Sequence, residues 1–225
     1  MRRGATGGRL TVGIGVSHRW VINDVFGYDF SAPAAFLREY LEVMIPAVAG
    51  KPVEHHGARI TAVGQLPPSH AAPPPILVAA LGPRMLRIAG ELADGTITTW
   101  TGPTALEEHI VPAITKAAES AGRPAPRVVA GLPVSITADP DGTRERLEQM
   151  FGSAADMPSY RAVLDREGVR SPADISLFGD EDTVLAHVRR FAEIGVTEFS
   201  AMPFGNPDDQ ARTIDVLAAQ RDSFA

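Results

Sequence analysis

Gly82, Pro83 and Arg84 follow the apolar run 76–78 and stand at the start of a predicted helix. The first N–H groups of a helix have no partners within the helix, and the helix dipole makes this end positive, so the backbone here can bind an anion such as phosphate. Gly82, Arg84 and Met85 can each offer an N–H, whereas Pro83 has none. The guanidinium of Arg84 would add charge complementarity. The alternative is a tight strand-to-helix turn with proline at an early helical position.

A second candidate position is the end of the apolar segment 9–16, where the sequence reads GIGVSH over 13–18. A GxG pair opens the dinucleotide-binding fingerprint, but His18 occupies the third glycine position and no helix is predicted before Ser31, so we exclude that motif. In a parallel α/β fold the carboxyl ends of the strands carry the functional residues, which makes Ser17 and His18 candidates. The alternative is a loop with an incidental histidine.

Three other motifs carry weaker signals. His55 and His56 are adjacent, and adjacent strand side chains point to opposite faces, so the pair chelates a metal poorly and indicates a solvated hairpin tip. Trp100 ends a predicted strand, where its ring can either form one wall of a pocket or simply pack. Asp94 stands before Gly95 and indicates a turn more than a catalytic acid. No Ser-His-Asp order, phosphate-binding P-loop or pair of carboxylates at matching strand ends is found.

Alternating strands and helices must position these residues. Apolar residues three to four positions apart predict helices, and short β-branched runs predict buried strands. Residues 51–63 predict a hairpin that turns at His56-Gly57, and the stretch from 153 to about 176 is irregular. Ser31 is the expected cap of the first helix, and Thr104 with Glu107 forms an expected capping box. Strands are predicted over 9–16, 76–81, 95–100, 127–137 and 196–202, and helices over 31–50, 84–93, 104–121, 141–152, 180–194 and 207–222.

The predicted strands are short and apolar without alternation, which is typical of parallel strands covered by helices. Two architectures fit this α/β pattern, an open doubly wound sheet and a (β/α)8 barrel. Five strand–helix units are predicted, whereas a barrel needs eight and about 250 residues. The count alone therefore favours the open sheet.

Composition narrows the class of protein. The chain has 225 residues, of which 44% are hydrophobic and 21% charged, as in ordinary globular proteins. The net charge of −6 argues against nucleic acid or an anionic membrane as a partner. The absence of cysteine excludes disulfides and thiolate chemistry. No apolar run reaches the ~20 residues of a membrane helix and no signal peptide is recognised, so a cytoplasmic location is expected.

Three stretches together resemble the luciferase-like monooxygenase superfamily, and most of all its branch that uses the deazaflavin coenzyme F420. They are GRLTVGIGVSH, AALGPRMLRIAGELADGTITTW and DEDTVLAHVRRFAEIGVTEFSAMPFG. Members of the family are (β/α)8 barrels, so the resemblance implies a single luciferase-like domain over residues 1–225 in place of the open sheet. The five predicted strands would then correspond to barrel strands 4 to 8, which makes the barrel incomplete.

The resemblance also implies a function. It implies an oxidoreductase that transfers a hydride between F420 and a small organic substrate, with an FMN-dependent monooxygenase or a non-catalytic flavin-binding homologue as the alternatives. It assigns no catalytic residue and no metal. By this resemblance the cofactor phosphate would be held by Gly82, Pro83, Arg84 and Met85. Ser17 and His18 would lie by the ring or substrate, and Trp100 would line the pocket. Gly15, Ala80 and Leu81 are also expected to bind the cofactor.

The comparison further implies that the first three barrel strands are not in this sequence. A fragment, a misplaced start and a natural short form are all compatible with this. Five units cannot close an eight-stranded barrel, because strand tilt and stagger depend on strand number. We therefore expect exposed strand edges at 9–16 and 196–202, and a homodimer or other oligomer as the state of the chain.

Overall fold

The computed structural model describes residues 8–67 and 72–220, and the chain divides into two compact units. The first unit comprises the chain up to Thr96 together with Lys116–Pro126, and the second comprises Ile97–Thr115 and the chain from Arg127 onward. The prediction that residues 1–225 form a single domain stays a prediction. Among the described residues, no helix is long and apolar enough to cross a membrane.

The first unit contains a parallel strand pair, a hairpin and two complete helices. Strand β1 pairs with β4 in parallel, with Val12 opposite Ile76 and Ile14 opposite Val78, while β2 and β3 form the antiparallel hairpin. Strand β5 follows β4 in the sheet order and continues into the second unit. The elements are β1 (Val12–Ile14), α1 (Pro33–Val48), β2 (Val53–His56), β3 (Thr61–Gly64), β4 (Ile76–Ala79), α2 (Pro83–Leu92) and β5 (Gly95–Thr99).

Helices α1 and α2 bury one apolar face each. Leu37 and Leu41, one turn apart on α1, are buried, and so is Leu86 on α2. An ion pair between the half-buried side chains of Arg38 on α1 and Glu91 on α2 joins the two helices. Helix α1 begins later than predicted, because Ser31 does not cap it and instead donates its hydroxyl hydrogen bond to Asp29.

The carboxylate of Glu39 on α1 closes the hairpin turn. It accepts hydrogen bonds from the backbone N–H groups of Ala58, Arg59 and Ile60 at 3.1, 2.9 and 2.8 Å. These N–H donors, that of Arg59 first, lower the pKa of Glu39 below its ordinary value. His55 lies 3.7 Å from the same carboxylate and is partly buried, whereas His56 is exposed. The two histidine side chains therefore point to opposite faces of β2, as expected. The expectation of a solvated hairpin tip is wrong for His55.

A test of this turn is the pH dependence of unfolding. Because the pKa of Glu39 is lower in the folded chain, its contribution to the free energy of unfolding is present above the ordinary pKa of 4.5 and is lost as the pH falls through the folded value. We expect Glu39→Gln to remove part of the loss of stability that acid causes in the wild type below about pH 4.5, measured as urea midpoints at several pH values. Glu54→Gln, an exposed position on β2, should leave the profile unchanged; an equal change in both variants would contradict the assignment.

The second unit is built around one long buried strand. Strand β6 is buried from Val128 to Ile136, and it therefore reads as a continuous apolar run with no alternation. It pairs in parallel with β7 at its carboxyl end and with β8 from Val129 to Val134. The elements are the end of β5, α3 (Pro103–Ala105), α4 (Val111–Ser120, which crosses into the first unit), β6 (Arg127–Ile136), α5 (Pro140–Phe151), α6 (Pro158–Glu167), β7 (Leu177–Gly179), α7 (Glu181–Glu193), β8 (Glu198–Pro203) and α8 (Pro207–Ala219).

Two local predictions in this unit are wrong. Thr104 does not cap a helix, since the helix begins at Pro103, passes through a π-helical turn at Leu106–Ile110 and continues as α4; Glu107 forms an ion pair with Arg190. The stretch up to 176 is not irregular, because it contains α6 and two short 3₁₀ turns. Helices α5, α7 and α8 are capped by Asp139, Asp180 and Asn206 in turn.

The alternation of parallel strands and helices is confirmed, and the fold class is α/β. Within the described part of the chain, β1 pairs only with β4 and β8 only with β6, so each keeps one edge without a neighbouring strand. These are the two edges that the sequence places at 9–16 and 196–202. Parallel pairing joins β1 with β4 in the first unit and β6 with β7 and β8 in the second.

Candidate functional site

The carboxyl ends of β1 and β4 lie side by side in the first unit. The parallel register places Gly15, just after β1, next to Ala79, the last residue of β4. A Cβ atom on Gly15 would lie only 3.0 Å from the Cβ of Ala79, which is tighter than side chains normally approach. Glycine here therefore permits the close approach of the two strand ends. The structure thus brings the predicted residues 15–18 and 80–85 to the same edge of the sheet.

Ser17 has a backbone conformation that side chains rarely adopt. Its φ is +61°, in the left-handed region, and Ser17 is exposed to solvent. His18 follows, and its carbonyl accepts the N–H of Ile22 at 3.0 Å; a π-helical turn then covers Val21–Val25. A non-glycine residue in this region costs free energy of the order of 1–3 kcal/mol, and such residues cluster at functional sites. This conformation was not readable from the sequence.

Helix α2 begins without a capping side chain. Gly82 is its N-cap residue, with φ −88° and ψ 157°, and the Gly82 carbonyl accepts the first helical hydrogen bond from Leu86 at 3.0 Å. The N–H groups of Arg84 and Met85 lie in the first turn, where no helical carbonyl can reach them. A Cβ atom on Gly82 would meet no described atom within 4 Å, so the space in front of this helix start is open.

Arg84 stands at this helix start as an exposed cation. Within residues 8–67 and 72–220, no carboxylate pairs with Arg84, whereas Arg87, one turn further on, lies 3.7 Å from Glu91. The neighbouring positions are less available: Ala80 is buried with 1% exposure, and its carbonyl accepts a hydrogen bond from Thr96. Ala80 can therefore offer a ligand little beyond its backbone. Asp94 accepts the N–H of Ile76 at 2.8 Å, as suits a turn residue.

The second unit contains a second Gly-Pro helix start, and the carboxylate of a glutamate side chain binds there. Helix α3 begins at Pro103 with Gly102 as its N-cap, and a carboxylate oxygen of Glu167 accepts the N–H of Ala105 at 2.5 Å. A Cβ atom on Gly102 would lie 2.6 Å from the carboxyl carbon of Glu167, so the carboxylate fills the space that a side chain would need. This chain thus uses a Gly-Pro helix start to bind a carboxylate in one place, and presents the equivalent start of α2 open. Gly102 and Pro103 can be read in the sequence after the strand that ends at Trp100, but their carboxylate partner Glu167 lies far along the chain and does not follow from it.

Trp100, the remaining predicted residue, lies in the second unit. It is the other non-glycine residue with a left-handed conformation, at φ +55°. Its ring centroid is 5.7 Å from that of Phe151, and the side chain packs on a cluster of Leu147, Ala173 and Phe178. The structure therefore gives Trp100 a packing role, and its role as a pocket wall stays a prediction.

The second unit also has a surface groove, and none of the predicted site residues lines it. It encloses about 380 Å³ between α7, β8 and α8, with Phe191, Val196, Phe199 and Leu217 among its apolar lining. Among the described residues that line it, Glu198 alone carries a charged side chain. Because the described lining of this groove is mostly apolar, we do not assign chemistry to it.

Comparison with known proteins identifies the family of this chain. The sequence profile of the family described as Luciferase-like monooxygenase matches residues 4–198. A 5,10-methylenetetrahydromethanopterin reductase of Archaeoglobus fulgidus is 27% identical over 251 residues, which cover 96% of this chain and 73% of that protein.

Solved structures show the same fold. The coenzyme F420 dependent tetrahydromethanopterin reductase from Methanopyrus kandleri superposes with a TM-score of 0.78 at 24% identity, covering 98% of this chain and 76% of that one. The oxygenating constituent of 3,6-diketocamphane monooxygenase of Pseudomonas putida, in complex with FMN, superposes with a TM-score of 0.68 at 18% identity, covering 93% and 69%. The expectation of a luciferase-like barrel fold, represented here by an open sheet, is confirmed.

Proposed function

Because the chain belongs to the luciferase-like monooxygenase family, we propose that it is an oxidoreductase that transfers a hydride between coenzyme F420 and a small organic substrate. The observation that carries the proposal is the open, uncapped start of α2 beside the end of β1. Two related proteins support the choice of cofactor. The Archaeoglobus fulgidus relative is a 5,10-methylenetetrahydromethanopterin reductase, and the Methanopyrus kandleri structure is that of a coenzyme F420 dependent tetrahydromethanopterin reductase.

The start of α2 fits the phosphate of the cofactor. The N–H groups of Arg84 and Met85 would donate to phosphate oxygens, the helix dipole would favour the negative charge, and Gly82 would allow the backbone to approach. Pro83 contributes no donor but fixes the first helical φ, so this turn is preorganised. Glu167 at the start of α3 supports this, because it shows that such a turn in this chain accepts an anion.

Gly15, Ser17 and His18 would lie on the ring side of the cofactor. When bound, the deazaflavin ring supplies two-electron hydride chemistry. The chain's own task is to hold the ring and substrate in position and to exclude water from them. Gly15 gives room at the strand end, and the strained Ser17 fixes the direction in which His18 leaves the strand. The roles of these residues, of Leu81 and of Trp100 are proposals that the family resemblance motivates.

Titration of the purified chain with F420 and, separately, with FMN tests the cofactor. We expect saturable changes in the F420 absorbance and fluorescence, and weaker binding of FMN. Tight FMN binding without F420 binding would overturn the proposal in favour of an FMN-dependent monooxygenase, which the family description and the FMN-bound structural relative support as the second candidate. Oxygen consumption with reduced FMN would then identify that activity. Binding of either cofactor without turnover on any substrate would favour a non-catalytic flavin-binding protein.

Arg84→Ala tests the phosphate site through its charge. A charge-assisted hydrogen bond contributes about 1.5–3 kcal/mol, so we expect F420 affinity to fall roughly 10- to 100-fold, with a weaker dependence on salt concentration. Arg87→Ala on the same helix is the matched control, since Arg87 already lies near Glu91 and should leave the affinity unchanged. Equal losses in the two variants would mean that general positive charge, and not a contact with Arg84, attracts the cofactor.

A further inference from the structure

The hydroxyl of Thr96 lies buried beside the strand end that leads into the proposed phosphate site. Thr96 is on β5 and is 0% exposed. Its hydroxyl donates to the carbonyl of Val78 on β4 at 2.8 Å, and the same hydroxyl reaches the carbonyl of Ala80, just past the strand, at 3.4 Å. Two carbonyls at the carboxyl end of β4 therefore share one hydroxyl from the neighbouring strand.

The residue type at position 96 indicates that this hydroxyl has a task. A buried hydroxyl costs free energy unless it is hydrogen-bonded, whereas valine has nearly the same shape and suits a buried strand without that cost. The neighbouring strand β4 is apolar throughout, from Ile76 to Ala79. Threonine at a fully buried position of β5 is therefore explained by its hydrogen bonds to β4 and not by the need to fill the core.

The connection between the end of β4 and the start of α2 is very short. Only two residues separate Ala79, which ends β4, from Gly82, the N-cap residue of α2. Pro83 follows, and its ring fixes its φ angle. Because so few dihedral angles lie between them, the position of the strand end determines the position of the helix start. The N–H groups proposed to bind phosphate thus stand where the hydrogen-bonded end of β4 places them.

The amino end of β4 is held separately, by Asp94. The N–H of Asp94 donates to the carbonyl of Ile76, and the Asp94 carboxylate accepts the N–H of Ile76, both at 2.8 Å. Asp94 and Thr96 both belong to the passage from α2 into β5, so the chain that leaves α2 holds both ends of the strand that enters it. Loss of the Thr96 hydroxyl would release only the end next to the phosphate site, while the buried Leu86 still packs α2 in place.

We propose that Thr96 is a positioning residue of the phosphate site, which holds the end of β4 so that the N–H groups of Arg84 and Met85 already face the anion. This inference rests on the proposed function, which places the cofactor phosphate at the start of α2. Thr96 is fully buried, so it acts through the backbone and does not contact the anion itself. A site whose donors are held in place loses less conformational entropy when it binds.

Thr96→Val tests the inference, because it keeps the shape of the side chain and removes the hydroxyl. We expect the affinity for F420 to fall about tenfold, as metal affinity does when a hydrogen bond behind a ligand is removed. Thr96→Ser keeps the hydroxyl and should restore the wild-type affinity. Thr98→Val is the matched control. Thr98 is as buried, at 1% exposure, but its hydroxyl donates to Val129 on β6, so its loss should leave the F420 affinity unchanged.

The backbone amides of Arg84 and Met85 give a second readout that needs no cofactor. With inorganic phosphate as the probe, and sodium chloride of equal ionic strength as the control, amide proton–nitrogen spectra of the wild type should show saturable shifts of these two signals. In Thr96→Val both signals should already be displaced in the free protein, and the apparent Kd for phosphate should rise by the same factor as that for F420. A lower melting temperature with unchanged amide signals and affinities would make Thr96 a purely structural residue and overturn the inference.

Further outcomes separate this inference from the proposed function. If Thr96→Val does not fold, Thr96→Ser and Thr96→Ala replace it, because these two variants differ only in the hydroxyl, and equal affinities in the pair would overturn the inference. Tight F420 binding by both the wild type and Thr96→Val would reject the positioning role alone. A phosphate response that depends on the Thr96 hydroxyl, without binding of F420, would support the positioning role and reject the cofactor. No response of the two amides to phosphate or F420 in the wild type would reject both.

Discussion

Replacing Gly82 with valine is expected to weaken F420 binding at least about 100-fold while leaving the chain folded. The branched side chain would occupy the open space in front of α2 and keep the phosphate from the N–H groups of Arg84 and Met85, so that two charge-assisted hydrogen bonds are lost together. The fold should tolerate the change, because a Cβ atom there meets nothing within 4 Å among the described atoms and the φ of −88° suits any residue. Fluorescence titration with F420 and a thermal melt measure the two effects.

Gly82→Asp is a sharper test, because it should raise the stability of α2 and at the same time lower the affinity for F420. Aspartate is a preferred N-cap residue and should stabilise α2 by roughly a few tenths of a kcal/mol relative to glycine. Its carboxylate would at the same time take the position of the phosphate and repel it, as Glu167 occupies the start of α3. A folded Gly82→Val or Gly82→Asp variant that binds F420 as tightly as the wild type would reduce Gly82-Pro83 to a structural turn.

Leu86→Ala is expected to lower the free energy of unfolding of the first unit by about 2–5 kcal/mol. Leu86 is fully buried at 0% exposure, one turn into the helix that carries the proposed phosphate site. Its truncation removes apolar contacts and leaves a cavity under α2, which the surrounding strands can fill only in part. Urea unfolding followed by Trp20 fluorescence, in the Trp100→Phe background, reports on this unit.

The matched control is Leu66→Ala in the same unit. Leu66 is 53% exposed, so the same chemical change should alter the free energy of unfolding by no more than about 0.5 kcal/mol. Similar losses in the two variants would show that α2 does not pack through Leu86 as described.

The elements that the sequence predicts correctly depend on local signals. The predicted helices 31–50, 104–121 and 180–194 end at or just before a glycine, and these glycines (Gly50, Gly122 and Gly195) all have positive φ values, which glycine adopts without strain. The turn from β4 into α2 is likewise local, since Gly82 and Pro83 occupy the N-cap and first helical positions as expected. The order of parallel strands also follows from the alternation of short apolar runs with helices.

The features that could not be predicted depend on residues far apart in the chain. The helix that begins at Pro103 is stabilised at its start by Glu167, 62 positions after Ala105, and so the local capping box of Thr104 is not needed. Strand β7 is only three residues long and exists by pairing with β6. Ser17 and Trp100 adopt left-handed conformations that their own residue types disfavour, so the surrounding fold imposes them.

For the candidate site, the sequence predicts which residues meet but not what each one offers. The meeting of residues 15–18 with residues 80–85 follows from parallel pairing. That Ala80 turns into the core, while Arg84 stands exposed at an open helix start, depends on packing. The exposure of Trp20, Phe26 and Tyr28 was not anticipated, because exposed apolar residues cannot be distinguished from core residues by their type.

The hydrogen bonds of Glu39 to the hairpin turn have a consequence for local motion. Three N–H groups of the turn share one carboxylate of α1, and Arg59 within that turn also holds Asp29 and Ser31, so the turn cannot detach without releasing all of these hydrogen bonds together. Opening of the hairpin and loosening of residues 29–31 should then be one cooperative event, with the amides of Ala58, Arg59 and Ile60 exchanging their hydrogens with solvent at a common rate.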